Sequence, residues 1–470
     1  MAPQALHPVT VLEQCHVSPS PAPAAGQTRA LLLTFFDLVF WGFPPVQRLI
    51  FYDNADLLSV SDFTLGELPR FKKSLAAALH HFYPLAGKLT CELAEGVAPE
   101  VVFSDGDSVP LTVAVSGDDF EDLAGDHARD TTRLHPLLPA LRTLGGSRSQ
   151  DVFAVQITVF PRAGICIGTT LHHAVADGSS YAHFLRTWAA IHRLGPECKK
   201  ALEMDVPPLL DRGVVRDNAG LREAFLRDHR ALAAAGDRRL DGWDLSLRPG
   251  VVLATFRFTD KQLRALGGHV ESETSARCSP YALACGAAWA GIVHARRGGS
   301  GRNVDGEAAS RAHFGFVTGC KPRASPPIPA NYFGNCLGIC RVEAGERGLT
   351  AAAAAAAIWR VIEGLAEEGQ AFQDARGWVR SVREYASARA VTVAGSPKLR
   401  MYAAADFGGA WGRPKKVEIA SVERTGALAL AESGRDGDGG GIEVGLALPR
   451  AEMEAFRTFY LDLFASLSAS

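Results

Sequence analysis

Two β-rich runs, VFAVQITVF (152–160) and GICIGTTL (164–171), meet at Pro161-Arg162-Ala163-Gly164, and the second runs directly into HHAVADG. Strand-forming residues divided by a Pro/Gly junction predict a hairpin. Residues 179–193 then carry apolar side chains at helical spacing and predict a helix. A hairpin that feeds a helix through one short loop commits this stretch to layered α/β architecture. It also places HHAVADG at a strand end, where loops on a rigid scaffold carry function.

The same alternation extends along the chain. Strands are expected at 9–17, 47–53, 100–104 and 111–115, with a helix over 65–81 that Pro84 and Gly87 end. Residues 205–250 are richer in Asp, Arg, Gly and Pro, with a helical patch at 219–235, and read as a connector. Beyond it come a strand (251–258), helices (260–266, 279–296), a loop (295–309) and a strand (314–320). A helix opens in the seven-alanine run at 351–357 and reaches about residue 368. ALALAES and GIEVGLAL flank the turn SGRDGDGGG as a second hairpin. For 470 residues this predicts two domains, 1–205 and 246–470, joined by a connector at 206–245.

Composition excludes several classes. A content of 47% hydrophobic and 21% charged residues supplies a large core, and a net charge of −2 leaves no footprint for nucleic acid or an anionic membrane. The most apolar stretch, LLLTFFDLVFWGF (31–43), is too short to span a bilayer and carries Asp37. The N-terminus has no basic region followed by an apolar run, so a soluble, cytoplasmic protein is expected. Nine cysteines without a CxxC pair argue for reduced thiols rather than disulfides or zinc. Asp436 and Asp438 lack the later ligands of a calcium loop, so no metal is expected there.

The chemistry-bearing candidate is His172-His173-Ala-Val-Ala-Asp177-Gly178. A neutral histidine is a competent general base near pH 7. An aspartate four residues on can fix the loop or orient the ring, and Gly178 allows a backbone angle that other residues resist. From local pattern alone three readings stand open: a base, a packed pair such as His80-His81, or a partial metal site lacking a third ligand.

Further motifs decide among them. HHAVADG resembles the HxxxD signature of the plant BAHD acyltransferases, and DFG–WG (Asp406, Phe407, Gly408, Trp411, Gly412) resembles that family's DFGWG signature. LTFFDLVF, QRLIFY, HHFYPLAGKL, KPRASPPIPANYFGNC, AGSPKLRMY and IEVGLAL follow in family order over nearly the whole chain. YFGNC (332–336) is similar to the branch that acylates anthocyanin and other flavonoid or phenolic glucosides, often with malonyl groups. Two departures stand out: Gly409-Ala410 inserted inside the second signature, and Gly319 where relatives commonly carry aspartate. Small inserted residues are expected to bulge without moving either flank.

The resemblance implies an α/β fold of two similar-sized domains, each a mixed sheet flanked by helices, as in chloramphenicol acetyltransferase, with a channel between them. It implies an acyl-CoA co-substrate, malonyl-CoA favoured, no permanently bound cofactor, a hydroxylated small-molecule acceptor and a monomer. His173 is the expected base at mid-channel, with no covalent acyl-enzyme. Asp177 is expected to pair with Arg323, or failing that Lys321. Asp406 is expected to hold its loop, and Trp411 to offer its indole N–H to the oxyanion or to shape the channel wall. Lys398, Lys415 and Lys416 are candidates for the CoA phosphates. The alternatives are a hydroxycinnamoyl-CoA donor with phenolic or amine acceptors, and an acyl-CoA binder of weak activity. Hydrolysis by a serine elbow is not expected, because no GxSxG occurs.

Overall fold

The computed structural model describes residues 9–22, 29–53, 59–90, 98–144, 149–195, 206–235, 240, 243–246, 248–299, 310–367, 369–409, 411–434 and 440–469. The expected hairpin forms: Phe153–Phe160 and Gly164–Leu171 pair antiparallel, with Phe153 opposite Leu171. Every residue of both strands is buried, which explains their near-continuous apolar runs. They lie central in a six-stranded sheet ordered Val9–Val17, Val109–Ser116, Phe153–Phe160, Gly164–Leu171, Val46–Asp53 and Lys416–Ile419. Helices Leu68–His81 and Gly178–Leu194 pack on one another.

A seven-stranded sheet forms the second half. Its order is Leu337–Gly345, Arg311–Gly319, Val391–Gly395, Ala427–Glu432, Ile442–Pro449, Val251–Phe258 and Arg129–Asp130. Helix Pro280–Gly299 lies against both Ala351–Gly364 and Arg450–Ala469. Most of the alanine run is buried, since small side chains let helices approach closely. A third sheet of five short strands includes Glu100–Phe103 and Lys88–Thr90.

Each of the two large sheets borrows a strand from the other half of the chain. Lys416–Ile419 pairs with Val46–Asp53, and Arg129–Asp130 pairs with Val252 and Leu253. The boundaries at 205 and 246 therefore cut across both sheets. The connector is also more than a linker, because its helix, Leu221–Ala234, packs on helix Phe35–Val39. That last helix is hidden inside the apolar run and starts at a capping box in which Thr34 and Asp37 bond reciprocally. The helix expected at 260–266 extends over Asp260–Thr274, started by a Thr259/Gln262 capping box. Residues 300–309 and 435–439, with the aspartates 436 and 438, lie outside the described residues. Among the described residues no helix is long and apolar enough to cross a membrane, and no three His, Cys, Asp or Glu side chains gather as metal ligands.

Candidate active site

The strand Gly164–Leu171 ends, and backbone bonds take over at once. The His172 N–H donates to Val152 O (2.9 Å), and the Val175 N–H returns to His172 O (3.0 Å). The buried His172 ring accepts the Ala174 N–H at Nδ1 (3.2 Å), so it is spent on shaping the loop. His173 points elsewhere. Its ring stacks on Phe40, with centroids 4.1 Å apart and planes 9° apart, and Phe43 lies at 5.8 Å. The residue is half-buried, yet Nδ1 is shielded from solvent and has no partner among the described residues. Burial, reinforced by the positive charge of Arg48, pushes the His173 pKa down to about 4, against opposing pulls from Asp177 and hydrogen bonds. The imidazole is therefore neutral at pH 7, as a general base must be.

Asp177 caps helix Gly178–Leu194. One carboxylate oxygen accepts the Ser180 N–H and the Ser179 hydroxyl (both 2.9 Å), and the other accepts the Cys336 N–H (3.2 Å). The expected ion pair does not form. Arg323 donates to Gly319 O (2.7 Å) and Lys321 to the carbonyls of Ala330 and Tyr332 (both 2.8 Å). Backbone and hydroxyl donors satisfy a capping carboxylate without a guanidinium. Gly178 does not adopt the unusual backbone angle expected of it; a Cβ there would lie 2.8 Å from Leu399 Cδ1, so a larger residue would make that side chain shift. Gly319, the second departure, faces open space that would admit a side chain.

Two residues central to the loop escaped sequence reasoning. Asn335, fully buried, donates from Nδ2 to His173 O (2.9 Å) and to Asp37 Oδ1 (3.0 Å). Asp37 Oδ1 also accepts the Asn335 N–H (3.0 Å), while Oδ2 holds Thr34. The chain Thr34–Asp37–Asn335–His173 thus ties the backbone of the histidine loop to the helix that Phe40 ends. The signals were a lone Asp in an apolar run and a lone Asn in YFGNC, because a buried polar side chain needs partners.

The DFG–WG segment lies elsewhere. Phe407 and Trp411 pack among Phe71, Trp188 and Tyr52, and the indole N–H donates to Glu67 Oε2 (3.0 Å). An indole committed to Glu67 cannot serve an oxyanion or line a channel at His173. Asp406 accepts the Gly408 N–H (3.0 Å), and Arg193 donates to its carbonyl (3.1 Å) and lies 3.7 Å from its carboxylate. Gly408 has φ +64°, and Arg193 carbons sit 2.5 Å from where its Cβ would be. Gly412 also has positive φ, at +57°. The lysines divide: Lys416 is buried between Asp126 and Thr255 (2.8 and 2.7 Å), Lys415 is held by Glu121, and only Lys398 stands exposed without an ion pair among the described residues. Lys415 and Lys416 are thus committed to carboxylates rather than to CoA.

The Transferase family model matches residues 7–460. A malonyl-coenzyme:anthocyanin 5-O-glucoside-6'''-O-malonyltransferase of Salvia splendens is 32% identical, covering 96% of this chain and 94% of that protein. Phenolic glucoside malonyltransferase 1 of Arabidopsis thaliana is 32% identical, over 94% and 95%. This chain belongs to the BAHD acyltransferase family. A coumaroyl-CoA:anthocyanidin 3-O-glucoside-6''-O-coumaroyltransferase 1 of Arabidopsis thaliana also matches at 32% over 96% of each chain, so overall similarity does not separate donors. The fold is that of vinorine synthase (TM-score 0.68, 20% identity, 97% and 98% coverage) and of F. graminearum TRI101 complexed with coenzyme A and deoxynivalenol (0.60, 13%, 92% and 97%).

Two cavities have walls from both halves of the chain, and His173 lines neither, so neither is the channel expected to pass that residue. One, of about 710 Å³, has Phe35, Phe36 and Phe372 among its walls, with Arg216, Arg323 and Arg376. Phe36 lies one helical turn before Phe40, which stacks on His173. The other, about 20 Å³, is lined by Arg48, Gly395, Leu399, Val417 and neighbours.

Proposed function

We propose that the enzyme transfers a malonyl group from malonyl-CoA to a sugar hydroxyl of a phenolic or flavonoid glucoside, with His173 as general base. The observation that carries this reading is the His173 ring, stacked on Phe40 with an Nδ1 unpartnered among the described residues, in a loop held by Asp177 and Asn335. A hydroxyl is a poor nucleophile until its proton is removed. His173 takes that proton as the oxygen attacks the thioester carbonyl, and a tetrahedral oxyanion forms. Collapse breaks the carbon–sulfur bond, and the imidazolium returns the proton to the departing CoA sulfur.

The acyl group passes directly between substrates. Burial pushes the thiols of Cys166, Cys285, Cys320, Cys336 and Cys340 up, away from the reactive thiolate. The cavity of about 710 Å³, walled by Phe35, Phe36 and Phe372 together with several arginines and acids, is large enough for a glucoside, although His173 itself does not line it. Lys398 is the remaining candidate for a CoA phosphate. A single chain supplies the residues around His173, which is compatible with the proposed monomer acting in the cytoplasm. The named malonyltransferase relatives and YFGNC favour malonyl, and the coumaroyltransferase relatives make hydroxycinnamoyl-CoA the second reading. The test is an assay of purified protein with malonyl-, coumaroyl- and acetyl-CoA against a panel of flavonoid and phenolic glucosides, read by product mass. A malonylated glucoside is expected; free acid with unchanged glucoside would mean hydrolysis and sink the transfer.

A further inference from the structure

We propose that Arg48 binds the carboxylate of the acyl group and so selects a dicarboxylic donor; this rests on the acyl-transfer reading above. Arg48 lies within the strand Val46–Asp53, flanked across the ladder by Thr169 and Ile419. It is 5% exposed, and its guanidinium lies over the Tyr181 ring at 4.2 Å. Among the described residues it makes no side-chain hydrogen bond and no ion pair.

That isolation is unusual for this molecule. Buried Arg129 pairs with Glu418 at 2.8 Å, and Lys416 with Asp126 and Thr255. Arg212 donates to Tyr332 and Phe333 (both 2.6 Å). The two acids that share the small cavity with Arg48 are already engaged, Glu418 by Arg129 and Glu443 by Tyr402 (2.7 Å). An arginine stays charged, and a buried charge without a counter-ion is costly. A ligand carboxylate is the natural complement, because the guanidinium fork matches it bidentately.

Position says which carboxylate. Tyr181 stands on the first turn of the helix that Asp177 caps, and Leu399, which lines the cavity, packs on Gly178 beside it. The Arg48 charge is felt at His173, whose pKa it helps to lower. In a malonyl thioester the carboxylate is separated from the reacting carbonyl by a single methylene, so its receptor must lie near the base. The CoA phosphates, at the far end of the pantetheine arm, cannot reach such a buried position. As it stands, the cavity of about 20 Å³ admits little more than one water-sized group, so entry of the acyl tail requires Leu399 or Met401 to swing aside. A coumaroyl ring there would leave the guanidinium desolvated and unpaired, which discriminates against it.

The experiment measures kcat/KM of the full-length enzyme for malonyl-CoA and acetyl-CoA with one accepted glucoside, for wild type, Arg48→Gln and Arg48→Lys. The malonyl-to-acetyl ratio is expected to fall on the order of 100-fold in Arg48→Gln and less in Arg48→Lys, which keeps the charge. Thermal melts check that the variants fold; should Arg48→Gln not fold, the same ratio read in Arg48→Lys decides. An unchanged ratio, or a wild type that uses acetyl-CoA but not malonyl-CoA, overturns the role of Arg48 and leaves acyl transfer standing. A wild type that transfers from no acyl-CoA overturns the functional reading itself.

Discussion

The loops HHAVADG and DFGGAWG each join a strand and a helix, both carry an aspartate close to a glycine, and both end in buried contacts. Yet they do opposite things. The first leaves one polar atom, His173 Nδ1, buried and unpartnered beside an aromatic wall. The second satisfies its polar groups and fills space: the indole reaches Glu67, the aspartate caps its own turn, and Phe407 wedges against Trp188. They sit at opposite ends of one strand. Val46 pairs beside His172, and Tyr52, six residues on and about 20 Å away, touches Trp411. The difference between the two loops is what their key side chains touch: His173 Nδ1 has no partner among the described residues, whereas the Trp411 indole and the Asp406 carboxylate are both bonded.

Replacing His173 by alanine is the harshest way to break the comparison. Transfer should fall about a thousandfold while the melting temperature barely moves, because the ring is half-buried and its Nδ1 has no partner among the described residues. Normal turnover in that variant would remove the base from the mechanism. Trp411→Ala should do the reverse, destabilising the protein by about 3–5 kcal/mol through the cavity it leaves, with kcat per folded molecule nearly unchanged. Denaturant unfolding beside active-site titration separates the two. Asp177→Ala falls between them: loss of the cap should remove about 1–2 kcal/mol and also slow transfer, because Cys336 and the YFGNC turn lose their hold on the loop. Asp177→Asn keeps one acceptor and should recover much of the stability.

The two regions also titrate alike in a way that acid can test. His172 and His173 in the first, and His192 beside Phe407 in the second, are all pushed down to about 4 by burial. Unfolded imidazoles titrate near 6.5, so between 6.5 and about 4 the unfolded chain binds more protons, and stability falls as the pH drops through that window. The acid limb of kcat/KM should lie well below 6.5 because His173 stays neutral there. A limb centred at 6.5 would mean that the ring is solvated and charged in the free enzyme.

What the sequence showed and what it hid divide along a physical line. The hairpin at 153–171, the helix after it and the strand Val251–Phe258 were legible because period and turn residues are local. The exchanged strands Lys416–Ile419 and Arg129–Asp130 were not, since a pairing partner hundreds of residues away leaves no local pattern. The same blindness explains the missed partner of Asp177, the lysines assigned to CoA that carboxylates had already taken, and Asn335, whose importance depends on Asp37 arriving from elsewhere in the chain.

The gentlest probe is the inserted pair itself. Gly408 O accepts the N–H groups of Trp411 and Gly412 (both 3.1 Å), and the Phe407 N–H returns to Gly412 O (3.1 Å). The flanks are therefore closed on each other across the insertion; a Cβ placed on Gly409 would meet nothing within 4 Å, and Ala410 lies outside the described residues. Deleting both residues would join Gly408 directly to Trp411. Their Cα atoms, now spaced as the ends of a four-residue turn, would have to close to about 3.8 Å. The indole must then shift or the turn must re-form, while His173, at the other end of the strand, feels little of it. The expected outcome is a stability change within about 1 kcal/mol and kcat within about threefold of the parent. A collapse in rate with stability intact would show that this loop is coupled to the chemistry after all, and would erase the division between the two motifs.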